Sequence, residues 1–128
     1  MVLQPLLLCV KMERNREMRL SFAVLELGIR VVSVPKSRLG EPLKSLCGLS
    51  PFRNRPHSGT VEEEMMIMAG FADPTLMDRL FSVMRQNGLE PPLLKAVLTD
   101  FNQHCSCAEL YRLLQSEAAA LQTRNKKG

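Results

Sequence analysis

The chain has 128 residues, 45% of them hydrophobic but only 5% aromatic, with no Trp and eight Met. That length suits one domain of ordinary size and excludes two, and packing falls to Leu, Val and Met, the last a residue that fills gaps without specifying shape. The net charge of +4 is uneven, ten Lys/Arg against four Glu in residues 1–60 and seven against nine Asp/Glu in 61–128, and its scatter supports only non-specific, salt-sensitive attraction to nucleic acid.

The apolar run Val2–Val10 has no basic region before it and no small-residue cleavage site after it. It does not read as a signal peptide. No stretch approaches the roughly twenty apolar residues of a membrane helix. Segment 11–40 is Arg-rich in the manner of a mitochondrial transit peptide, but Glu13, Glu17 and Glu26 run against that, since such peptides avoid acids. Two local readings stand open here. Ile29, Val31, Val32 and Val34 suit a short strand within Ser21–Val34, while Glu13–Leu27 suits a helix with Met18, Phe22 and Leu25 on one side. From Ser33 to Ser58, Pro35, Gly40, Pro42, Gly48, Pro51 and Pro56 break regular structure. Residues 1–59 are therefore expected to form a basic, irregular or disordered leader.

The pattern changes at Thr60. Thr60-Val-Glu-Glu63 has capping-box spacing, and Glu62–Glu64 would place negative charge at a helix start. Met65, Met66 and Met68 would follow in a short helix closed by Gly70. Asp73-Pro74 opens the next helix as N-cap and first helical residue. Its stripe is Leu76, Met77, Leu80, Phe81 and Met84, and Asn87-Gly88 ends it. Pro91-Pro92 restarts the chain, with Leu93, Leu94, Val97, Leu98 and Phe101 as a third stripe. Ser106-Cys-Ala-Glu109 is a second capping box, and Leu110, Leu113, Leu114, Ala118 and Leu121 line the last helix. The fold class expected is all-α: a small antiparallel bundle of three to four short helices over residues 60–128, beside an irregular N-terminal half.

Chemistry is sparse. His104-Cys105-Ser-Cys107 crowds three ligand types into four positions, where zinc wants two separated pairs, and Cys9, Cys47 or His57 would have to complete the set. A polar turn with reduced thiols is the simpler reading, so no metal, cofactor or catalytic residue is assigned. Leu3-Gln-Pro-Leu6-Leu7 and Leu110-Tyr-Arg-Leu113-Leu114 each show a Leu-x-x-Leu-Leu pattern. It resembles the short helix by which coactivators dock into nuclear-receptor ligand-binding domains, a groove-binding mode. Met84–Pro91 is similar to the junction between pentatricopeptide repeats, over eight residues and in one copy, which assigns no family.

The function expected from this reading is a non-enzymatic protein-interaction adaptor or small complex subunit in the nucleus or cytoplasm. Its candidate contacts are Leu110, Tyr111, Arg112, Leu113 and Leu114. The leucines double as the helix's core stripe, and Tyr111 and Arg112 would face outward. The alternatives are a nucleic-acid-associated or transcriptional cofactor, and a mitochondrial helical protein with a cleaved N-terminus.

Overall fold

Leu6–Val10 is a run of five apolar residues, and so is Met65–Ala69. A strand covered on both faces needs apolar side chains at every position, because alternate residues point to opposite sides. Both runs are such strands. In the computed structural model, which describes residues 4–49 and 60–127 with side chains to 117, they are the antiparallel central pair of a four-stranded sheet. The described elements run β1 (Leu6–Val10), α1 (Arg14–Ala23), β2 (Arg30–Val34), α2 (Leu43–Leu46), β3 (Met65–Ala69), α3 (Pro74–Gln86), β4 (Leu94–Val97) and α4 (Cys107–Lys127). The sheet order is β2-β1-β3-β4, with β2 parallel to β1 and β4 parallel to β3.

Three layers result. Leu7 and Cys9 of β1 and Met66 and Met68 of β3 pack against Leu20 from α1, Val24 at its C-cap, and Leu76, Leu80 and Met84 from α3. On the opposite face, Leu6, Leu8 and Val10 join Met65, Ile67 and Ala69 beneath Leu43 and Leu46 of α2 and Leu110 and Tyr111 of α4. The fold is α/β. The all-α bundle is overturned, and with it the irregular N-terminal half, since β1 lies between β2 and β3.

Two expected helices are strands. The capping-box spacing at Thr60–Glu63 starts no helix, because Met65–Ala69 gains more from burial on both faces than from one helical stripe. The stripe from Leu93 to Phe101 is also no helix: β4 occupies Leu94–Val97, and Phe101 is 93% exposed. The two open readings of the first half hold side by side, α1 falling within Glu13–Leu27 and β2 within Ser21–Val34. Asp73 caps α3 by accepting from the Thr75 amide, with Pro74 in its first turn. Ser106 and Glu109 exchange the two capping-box hydrogen bonds at the start of α4. Residues 50–59 of the expected leader, with Pro51, Pro56 and His57, lie outside the described residues, as do Leu3 and the side chains of Ala118 and Leu121.

The halves repeat one another. Each is strand, helix, parallel strand and helix, and Leu8 faces Ile67 at the middle of the β1–β3 register. Gly28, after the 3-10 turn Leu25–Leu27 that follows α1, and Gly88, after α3, make the same pair of bonds: Ile29 N–H to Val24 and Gly28 N–H to Leu25, matched by Leu89 N–H to Met84 and Gly88 N–H to Arg85. That is the Schellman arrangement, with a buried apolar residue, Ile29 or Leu89, after the glycine. The starts of α2 and α4 meet at a bridge between Pro42 and Ser106. One position breaks the likeness. The residue after β3 is Gly70 at φ 75°, whereas the residue after β1 is Lys11 at φ 60°. A side chain in that left-handed region costs about 1–2 kcal/mol.

Candidate functional site: the outer face of α1

Glu13 caps α1 by accepting from the Asn15 and Arg16 amides, each at 3.2 Å. Leu20 and the terminal Val24 turn into the sheet. Arg16 fixes the helix rotation, since its guanidinium makes two parallel bonds to Glu64, at 2.8 and 2.9 Å, and donates also to the Glu90 carbonyl. Arg19 donates to the Asn87 carbonyl at the end of α3, at 2.6 Å. With one side held this way, Met18, Phe22 and Leu25 emerge on the other, 50%, 71% and 67% exposed. The spacing of four residues puts Met18 and Phe22 in one column on α1, and Leu25 lies just beyond, in the 3-10 turn Leu25–Leu27. Arg14 stands exposed one turn before Met18.

The Leu110–Leu114 segment divides between core and solvent. Leu110 and Tyr111 are buried, Leu114 packs partly onto the same core, Leu113 is 54% exposed and Arg112 is exposed. Tyr111 therefore does not face outward as expected. Its hydroxyl donates to Glu63 at 3.3 Å and accepts from Gln115 at 2.9 Å. Leu110 and Leu114 cannot enter a partner's groove while they cover the sheet, which leaves Arg112 and Leu113 free for contact. Leu6 and Leu7, from the other Leu-x-x-Leu-Leu sequence, are buried on opposite faces of β1.

The thiols are not arranged for chemistry. Cys9, Cys47 and Cys107 are buried and Cys105 is half-buried, all of them free. Burial pushes Cys47 up to about 11 and Cys107 up to about 12, raises Cys9 further, and with Glu109 nearby raises Cys105. A thiol held protonated is a poor nucleophile and a poor metal ligand. Among the described residues no three His, Cys, Asp or Glu side chains gather to hold a metal ion, and no helix is long and apolar enough to cross a membrane. No protein-family description, curated protein or solved structure matches this chain.

The α1 stripe is present in the sequence, where Met18, Phe22 and Leu25 fall on one side of a helix. An apolar stripe ordinarily faces the core, so the pattern reads as inward. The distinguishing signal is the second apolar pair, Leu20 and Val24, on the opposite side of the same helix. Which of two apolar sides turns inward is decided by the sheet and by Arg16, and neither is local.

Proposed function

We propose that the protein is a non-enzymatic interaction module that presents α1 to a groove on another protein. The observation that carries this reading is the exposed column of Met18 and Phe22 on a helix whose rotation is fixed by a two-pronged ion pair, with Leu25 exposed just beyond the helix end. Placing a helix's apolar column in a groove is an established recognition mode, and its anchors follow this spacing. Removing each of these half-exposed side chains from water contributes about 1–2 kcal/mol before ordering costs. Arg14, exposed one turn before Met18, favours a groove with an acidic rim. The rival reading, nucleic-acid attraction through the basic half, has less to draw on. Arg16 and Arg38 are held by Glu64 and Glu41, and Arg19 is occupied at Asn87.

The test compares the full chain with a Met18→Ser/Phe22→Ser variant in quantitative affinity purification, then measures direct binding to each purified partner. The expected partner is lost by that variant, retained by Leu113→Ser, and bound at least tenfold more weakly by the variant at an unchanged melting temperature. Equal binding by variant and parent would refute the assignment of this face. So would sedimentation showing that the column only closes on a second copy of the chain.

A further inference from the structure

At the carboxyl ends of the parallel pair β1 and β2 lies a cavity of about 300 Å³. Ligands of open α/β sheets collect at such ends, because the chain leaves neighbouring strands there in different directions and opens a crevice. Among the described residues its apolar wall includes Val10, Val34, Leu39 and Val61, and the exposed Lys11 and Lys36 also line it. Glu62 also lines it, its carboxylate accepting from the Thr60 hydroxyl. Neither lysine has an ion-pair partner among the described residues, so two cations stand against one carboxylate.

A second observation points to the same place. Lys11 is the one described non-glycine residue at positive φ, and the matching turn after β3 uses Gly70. The turn is therefore demanded by the repeated strand-to-helix architecture, and glycine satisfies it without strain. Lysine satisfies it only at a penalty, and what the penalty brings is a cationic residue in the lining of the cavity. Residues held in unfavourable backbone regions concentrate where ligands are held.

We propose that this cavity binds a small organic anion, its charged head between Lys11 and Lys36 and its apolar part against the valine and leucine wall. The size suits a ligand of modest length, and the combination of apolar lining with a few placed charges is what small-molecule sites show. This site is separate from the α1 column, and the two are lost by different substitutions.

The experiment titrates the isotope-labelled full chain with octanoate, octyl phosphate and 1-octanol below their micellar concentrations, following backbone amide shifts. Saturable shifts centred on Lys11, Ser33 and Lys36 are expected with both anions, and the tighter of the two identifies a carboxylate or a phosphate head. Octanol should bind at least tenfold more weakly. Lys11→Gly should weaken anion binding at least tenfold while leaving the melting temperature unchanged or raised, a split that a merely structural lysine does not give. Lys36→Gln should weaken it similarly, and Met18→Ser/Phe22→Ser should leave it intact. The proposal is overturned by absence of saturation, by shifts centred on α1, by octanol binding as tightly as octanoate, or by parental affinity in both lysine variants.

Discussion

Phe101 and Leu80 show how little residue type alone says about contribution to stability. Phe101 is the larger, yet it stands 93% exposed, while Leu80 is fully buried between α3 and the sheet. Leu80→Ala should destabilise by about 2–5 kcal/mol, as deleting buried methyl groups does. Phe101→Ala should stay within about 0.5 kcal/mol, the range of surface changes. Urea denaturation of both variants measures the contrast, and a comparable loss at Phe101 would place that ring in the core. Glu41 supplies the pH-dependent counterpart. It is buried, bonded to Arg38 and to the Ser45 hydroxyl at 2.7 Å, and Arg38 foremost holds its carboxyl below the ordinary range. A carboxyl lowered on folding stabilises the protein fully above its unfolded pKa of about 4, and that contribution vanishes as pH falls through the lower folded value. Melting temperatures measured from neutral pH downward should therefore decline below about pH 5, and decline less steeply in Glu41→Gln. Identical slopes would show that Glu41 titrates as it does in the unfolded chain.

At the scale of elements, the sequence is most legible where a helix announces itself by its own ends. The Asp73-Pro74 start, the Asn87-Gly88 end and the Ser106–Glu109 box are local devices, and all three close the bonds their spacing suggests. The Thr60–Glu63 box is equally good locally and forms no helix, because its acids have distant partners. Glu63 accepts from Tyr111 on α4, and Glu64 pairs with Arg16 on α1. Those helices cover opposite faces of the sheet, and neighbouring residues reach opposite faces only in extended chain. Nothing within ten residues of Glu63 reveals this. The same limit hid β1 and β3, since an unbroken apolar run of five does not alternate and shows no strand period. Part of the proposed contact face was legible in a similar sense: the α1 column could be seen and its direction could not. Thiol accessibility checks these placements. In the native protein a thiol reagent should modify Cys105 first, and Cys9, Cys47 and Cys107 only at the rate of unfolding. Rapid labelling of Cys107 would mean that α4 does not cover the sheet as described.

For the whole molecule, the repeat of two strand–helix–strand units makes each half the lid of the other's central strand. Between them, β1 and β3 carry ten residues over five ladder positions, all buried and none with a charged or amide side chain. Separating the halves would expose Met65–Ala69 along a bare hydrogen-bonding edge, the arrangement that invites aggregation. The inward face of α3 would also lose Leu7 and Cys9 from β1 and Leu20 from α1. A chain of residues 60–128 alone should therefore have no cooperative thermal transition as a monomer, although it contains α3 and α4 with their caps intact. Because Leu8 and Ile67 sit opposite one another at the centre of the register, a second copy of β3 offers the nearest substitute for β1. Any folded material should consequently sediment as a dimer, and adding a fragment of residues 1–59 should convert it to a one-to-one complex. A folded monomer of 60–128, melting cooperatively at high dilution, would show that the second half needs nothing from the first. The capping signals of α3 and α4 would in that case suffice, and the β1–β3 pairing would be a docking of two domains rather than the core of one.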